Sequence, residues 1–281
     1  MLNRWRSVKY RLARWVCHAA GRAAARLLPL QLVHAPVGRP AVLLLGICLG
    51  DERNTLEHLV GRFGESQYCA VTQAWVVIGG TVPDVQRVDV SIHHQARRTP
   101  RMSLLNDMLA RVTVDAYDYI VVCDDDVLLR AGFVDAFIGW QQYLDFSLAQ
   151  PARTRNSYID HPVVLRDPRL AARETNFVEI GPVVSVHRRA VPLILPFDAS
   201  SPMGWGLDFV WPCLLHAHGL SLGIIDAAPV DHSLRRPGQT YAKAGALSDM
   251  ALYLERHEHV APADIGKIVT SYPLGMTRVK H

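Results

Sequence analysis

Lysine is scarce in this 281-residue chain: four of the 30 basic residues are lysines (Lys9, Lys243, Lys267, Lys280) and the rest are arginines. A GC-rich genome produces that bias as readily as binding chemistry does, so it carries no functional weight. Acidic residues are missing from positions 1–50, which hold Arg4, Arg6, Lys9, Arg11, Arg14, Arg22, Arg26 and Arg39, a balance of +8. The rest of the chain holds 22 basic and 26 acidic groups, a balance of −4. The pI near 8.9 therefore belongs to the N-terminal arm, and a nucleic-acid-binding body is not supported. The five cysteines (Cys17, Cys48, Cys69, Cys123, Cys213) include no CxxC pair, which argues against a disulfide framework and for a reducing compartment. No run of 18 apolar residues is present, and the N-terminus lacks a secretory pattern, so the expectation is a cytoplasmic protein. The GxxxxGK[ST] loop and a GxGxxG turn after the first strand are both missing, which disfavours P-loop and dinucleotide chemistry. There is no internal repeat and no low-complexity tract.

What is there reads as α/β. With 49% hydrophobic and 20% charged residues the chain can bury a sizeable core. Leu2, Trp5, Val8, Leu12, Trp15, Val16 and Ala19 predict an amphipathic helix over 1–28, with arginines and Lys9 over the remaining surface. Such a helix lies in an anionic membrane interface on the inner membrane face, or packs on the body through Trp5 and Trp15. Pro29, Pro36, Gly38 and Pro40 make 1–40 a helix plus linker. The body is expected over 41–258 and a tail over 259–281. Apolar runs predict strands at 41–49, 71–79, 87–92 and 119–123, alternating with helices, hence a mainly parallel, Rossmann-like central sheet. Further strands are expected near 147–150, 177–186 and 222–227. Helices are expected from Asp208, with Pro212 tolerable only in the first turn, and over 241–257.

The most informative feature is Asp124-Asp125-Asp126, directly after the strand Tyr119–Cys123. Adjacent carboxylates repel, and a hard divalent cation would offset that repulsion. Ligands of open α/β sheets bind at strand carboxyl ends, where Mg²⁺ or Mn²⁺ can bridge a diphosphate. A solvated acidic turn is the plain alternative. Five blocks accompany the triplet in order: YDYIVVCDDDV (117–127), FSLAQPA (146–152), FVEIGPVVS (177–185), GWGLDF (204–209) and LGIIDAAPVDH (222–232). The strand-DDD arrangement resembles the DXD motif of GT-A glycosyltransferases. The five blocks, covering about 41–240, resemble the domain-of-unknown-function 707 family of bacteria and plants.

That resemblance implies a GT-A-like single domain with a metal-dependent donor site. Asp124 would face the donor ribose or a metal-bound water, Asp126 would ligate Mn²⁺ or Mg²⁺, and His232 would be the remaining ligand. Asp125, which strand alternation points away from its neighbours, joins Asp51, Arg53, Arg235 and Arg236 as the donor-binding set. Asp51 and Arg53 lie where GT-A folds read the nucleotide base. Arg235 and Arg236 match phosphate oxygens in two-point geometry, or are solvated loop charges. GWGLDF resembles the GWG-plus-acidic stretch of β-1,4-galactosyltransferases, but Phe209 stands where those enzymes carry a further acid. Asp208 fits the general base of an inverting transfer, or a helix N-cap. Trp205 and Gly206 would meet an acceptor sugar. Glu179, an acid in an apolar stretch, contacts the acceptor or pairs with a core arginine. The polar stretch 153–161 carries no assignment beyond a mobile loop.

The expected activity is transfer of a sugar, UDP-sugar favoured, to a saccharide or lipid-linked acceptor. Two other classes compete: a non-catalytic carbohydrate- or nucleotide-binding module on the same fold, and a metal-dependent nucleotidyltransferase.

Overall fold

The computed structural model describes residues 38–274, except 83, 86, 237 and 239–241. The helix expected over 1–28 lies outside the described residues. Nine strands form one sheet: β1 Ala41–Leu49, β2 Ala70–Ile78, β3 Val90–Gln95, β4 Tyr119–Asp124, β5 Leu148–Arg153, β6 Leu170–Thr175, β7 Val183–His187, β8 Leu222–Val230 and β9 Ile268–Pro273. Their spatial order is β3-β2-β1-β4-β7-β5-β8-β6-β9. The helices are α1 Leu56–Gly64, α2 Arg101–Leu109, α3 Phe133–Tyr143, the short α4 Val191–Ile194, α5 Leu207–Ala217 and α6 Lys243–Leu254. None of these is long and apolar enough to cross a membrane.

The first half of the sheet is what the apolar runs predict. β3, β2, β1 and β4 are parallel, and their side chains alternate between two cores. Val42, Leu44, Val121 and Cys123 face α1 and α3, while Leu43, Leu45, Ile120 and Val122 face α2 and α5. Cover on both faces is why β1 and most of β4 read as unbroken apolar runs, whereas β3, expected over 87–92, runs from Val90 to Gln95 and is partly exposed. Cys48 and Cys123 are buried within them, and the four described cysteines are unpaired.

The second half departs from a mainly parallel sheet. β7 is antiparallel to both β4 and β5, β6 is antiparallel to β8 and β9, and only β5–β8 is parallel. The sheet is therefore mixed. Two strands escaped the sequence reading. β6 carries Arg173, whose Nε and Nη2 donate to Asp226 of β8 at 2.8 and 2.9 Å, both residues buried. β9 falls in the stretch expected to be a tail, and its pairing with β6 carries the sheet past position 258. The strand expected over 177–186 begins only at Val183, so Glu179 sits in a buried irregular segment.

Pro212 is the sixth residue of α5, past the first turn where it was expected. It has no N–H for the Asp208 carbonyl four residues back. The next carbonyl, of Phe209, accepts from the Val260 N–H at 2.9 Å, which ties the chain after α6 to this helix.

Candidate active site

A cavity of about 710 Å³ opens at the carboxyl ends of β1 and β4, walled on its other sides by the 177–182 segment, α5 and α6. The acidic triplet forms one end, and its three carboxylates have separate partners. Asp124 accepts from Arg101 Nη2 at 2.8 Å, and the same guanidinium reaches the Ile180 carbonyl at 3.3 Å. Asp125, 2% exposed, accepts from the Leu49 N–H at 2.7 Å and from both terminal nitrogens of Arg235. Asp126 accepts from Arg235 Nε at 3.2 Å and lies 3.2 Å from His232 Nε2.

Burial pushes the Asp125 carboxyl up to about 6, against the pull of Arg235 and the Leu49 N–H. Burial also opposes the Asp126 charge, but the His232 hydrogen bond and charge, followed by Arg235, hold Asp126 below the usual range. His232 is fixed by the loop after β5: its N–H donates to Ser157 Oγ at 2.9 Å, and its carbonyl accepts from Tyr158 N–H at 3.0 Å. Its Nδ1 is buried without a hydrogen-bond partner among the described residues.

The spacing of Asp126 Oδ1 and His232 Nε2 suits two neighbouring donors on one octahedral ion, for which bonds of about 2.1 Å give a separation of about 3 Å. No group of three His, Cys, Asp or Glu gathers among the described residues. Asp126 and His232 are therefore the pair that could take part in holding an ion, and Mg²⁺ and Mn²⁺ are ions that complete their shells with phosphate oxygens and water. Asp124, the third expected ligand, is bonded by Arg101.

A second cluster lining the cavity is built from Glu179, His161, Arg153 and Asp208. Arg153 Nη2 bonds Glu179 Oε2, and Arg153 also donates to the Tyr158 carbonyl at 2.9 Å and the Gly181 carbonyl at 2.7 Å. His161 Nδ1 lies 2.8 Å from Glu179 Oε1. Glu179 thus pairs with a core arginine and borders the cavity as well. Asp208 is the second residue of α5 and not its N-cap, which is Gly206 at φ +95°. Its Oδ1 accepts from the Gly206 N–H at 3.2 Å. Burial first, then the Glu179 charge, raise the Asp208 carboxyl to about 7, while His161 pulls the other way. Burial opposes the His161 charge, but Glu179 and then Asp208 raise that imidazole above its ordinary value.

The turn into α5 explains GWG. Gly204 and Gly206 both have positive φ, +84° and +95°. A Cβ on Gly204 would lie 2.5 Å from Ile180 Cδ1, and one on Gly206 would lie 3.2 Å from the Tyr253 ring. Trp205 is left lining the cavity, with Lys243 Nζ 5.9 Å from its ring centroid.

The structure brings Asp124, Asp125, Asp126, Glu179, Trp205, Gly206, Asp208, His232, Arg235 and Arg236 to one cavity. Arg236 is exposed there. Asp51 and Arg53 are exposed and outside the lining; Leu49, Arg98 and Thr99 border the cavity near that turn. Sequence reasoning missed Arg101, Arg153, His161 and Lys243. An acid in an apolar stretch, Glu179, was the available signal for a buried cation, but nothing local named Arg153.

No protein-family model matches the chain, and no curated protein does. Solved structures do resemble it. The mannosyltransferase PcManGT from Pyrobaculum calidifontis, in complex with GDP-Man and Mn²⁺, superposes with a TM-score of 0.54 at 16% identity, covering 91% of this chain and 75% of that one. GalNAc-T7 with UDP, GalNAc and Mn²⁺ gives a TM-score of 0.52 at 10% identity, over 71% of this chain and 44% of that one. S. aureus TarS 1–349 in complex with UDP-GlcNAc gives 0.52 at 9% identity, over 75% and 65%. The chain thus spans three quarters of the first and less than two thirds of the other two. The fold is GT-A-like. At these identities the likeness speaks to the fold alone.

Proposed function

We propose that this protein is a glycosyltransferase that moves a sugar from a nucleotide-sugar donor, a UDP-sugar in the first instance, to a saccharide or lipid-linked acceptor. One observation carries the reading. On a GT-A-like fold, a single cavity is lined by an Asp126–His232 pair spaced for one cation and by a buried Asp208 whose carboxyl is pushed up to about 7. Neighbours of the same fold are named as complexes with GDP-Man, UDP or UDP-GlcNAc, three of them differing in base or sugar. The five sequence blocks support placing the chain with the domain-of-unknown-function 707 proteins.

In this reading Asp126 and His232 would hold Mn²⁺ or Mg²⁺, which neutralises charge gathering on a departing nucleoside diphosphate. Arg236, exposed at the cavity, offers a guanidinium to the phosphate oxygens. Arg235 keeps the acids below it in place. Trp205 gives the acceptor ring an apolar face. Asp208, as carboxylate, takes the proton of the acceptor hydroxyl as that oxygen bonds the anomeric carbon; the bond to the diphosphate breaks on the opposite side, and configuration inverts. A carboxyl titrating near 7 is matched to that task at neutral pH. Residues 1–28 would carry the enzyme to an anionic membrane surface on the cytoplasmic side.

Calorimetric titration with UDP and GDP, with Mn²⁺ and with EDTA, tests the donor site. Metal-dependent binding to the parent, lost in Asp126→Ala, is the expected result. Absence of nucleotide binding under every condition, in folded protein, overturns it.

A further inference from the structure

A second cationic cluster lies beyond the cavity, past the carboxyl ends of β5 and β8. Four chain segments run side by side there. Leu128 and Asp231 exchange backbone hydrogen bonds at 2.9 and 3.1 Å, Thr154 N–H donates to the Val230 carbonyl at 2.8 Å, and Arg166 N–H donates to the Arg153 carbonyl at 3.0 Å. Arg130, Arg155 and Arg166 each fall within two residues of these bonds, so the topology gathers three guanidiniums on neighbouring segments. None of the three lines the cavity.

The nearby carboxylates are already engaged. Asp226 is held in two-point geometry by Arg173 and accepts from the Asp167 N–H at 2.8 Å. Asp167 is bonded by Arg169 through Nε and Nη2. Asp231 Oδ1 accepts from the Ser233 hydroxyl at 2.5 Å. Arg166 reaches only a backbone carbonyl, that of Asp226, at 3.1 Å. Arg155 Nη1 is buried with no hydrogen-bond partner among the described residues, and Arg130 is exposed. Burial first, then Arg130 and, less strongly, Arg155 lower the affinity of Arg166 for its proton, with the Asp226 charge opposing them, as expected for like charges near one another. A buried guanidinium N–H without an acceptor is costly, and like charges drawn together add to that cost. A bound anion would relieve both.

We propose that Arg130, Arg155 and Arg166 form a binding site for a phosphate-bearing anion, separate from the donor cavity. Three guanidiniums suit a multiply charged tetrahedral oxyanion, whose oxygens accept several N–H bonds at once, better than a single carboxylate. The site does not depend on the glycosyltransferase reading. A phosphate carried on an acceptor and a free phosphate ion present the same oxygens to it.

The test is calorimetric titration of the full chain with inorganic pyrophosphate in EDTA. Binding should weaken at least about ten-fold in Arg155→Gln and in Arg166→Gln and stay within about two-fold in Arg236→Gln. Thermal melting separates a site from a structural role. Arg130→Gln, at an exposed position, should melt at or above the parent temperature without anion and lose most of the rise that pyrophosphate gives the parent. Decyl phosphate distinguishes the sources: tighter binding than pyrophosphate assigns a phosphate borne on a lipid, and weaker binding a free ion. Pyrophosphate binding that is absent, that survives both Arg155→Gln and Arg166→Gln, or that disappears only in Arg236→Gln overturns the proposal.

Discussion

At the β4 end of the cavity, every acid has a cation of its own or a share in one: Arg101 for Asp124, and Arg235 spread over Asp125 and Asp126 with His232 beside it. At the α5 end, two acids face one arginine and one histidine, and both of those bond Glu179. Asp208 is left with a backbone N–H. Asp126 and Asp208 are similarly buried, yet Asp126 is held below the usual carboxylate range and Asp208 is pushed up to about 7, while Asp125, buried deeper, is raised to about 6 even with Arg235 beside it. The difference between these two carboxyls, Asp126 and Asp208, lies in how cations are allotted, and on the proposed reading it would suit Asp126 to a diphosphate-bound cation and Asp208 to exchange of a proton.

The contrast breaks most visibly at Asp208. Asp208→Asn should lower transfer by about 10³-fold, within the range for loss of a general base. The fold should not suffer. The folded-state carboxyl titrates near 7 against an ordinary 3.8, so the folded form binds its proton more tightly, and stability falls as pH rises through that interval. Asn carries no such penalty, so the variant's stability relative to the parent should rise from pH 4 to pH 8, as read by urea denaturation. Next in size is Arg235→Ala. It strips Asp125 of its guanidinium and leaves only the Leu49 N–H, an uncompensated buried charge worth about 3–5 kcal/mol. Urea unfolding at neutral pH measures that loss.

Glu179→Gln sharpens the comparison. The Glu179 charge is the second cause, after burial, of the raised Asp208 carboxyl, and it outweighs the opposing effect of His161. Activity in the parent should rise with pH through about 7, as Asp208 loses its proton, and in the variant that limb should move to lower pH. A pH–rate profile of kcat/KM reads the shift. The smallest effect is expected from Gly206→Ala. A residue at φ +95° with its Cβ 3.2 Å from the Tyr253 ring costs about 1–3 kcal/mol, seen as a lower Tm.

Legibility in the sequence followed the same physics. β1, the second half of β2 and most of β4 were readable because burial on both faces makes them apolar. β6 was not, because Arg173 sits in it and its burial depends on Asp226, 53 residues away. β9 was not, because its sheet edge leaves most of it exposed. In the site, the acids showed and their partners did not. Asp124 to Asp126 mark themselves by adjacency and Asp208 by the glycines before it, whereas Arg101, Arg153 and His161 gain meaning only when the fold sets them against acids 18 to 26 residues away. Asp51 and Arg53, candidates by resemblance from their place after β1, are exposed and lie outside the cavity lining.

The most direct test of the account is release of nucleoside diphosphate from a panel of nucleotide-sugars with Mn²⁺, measured for the parent and for Asp208→Asn alongside their affinities for UDP. The account predicts that the parent releases nucleoside diphosphate from at least one donor and that Asp208→Asn binds UDP as the parent does while releasing about 10³-fold more slowly. Release that is indifferent to Asp208→Asn, or pyrophosphate as the product in place of nucleoside diphosphate, would contradict it.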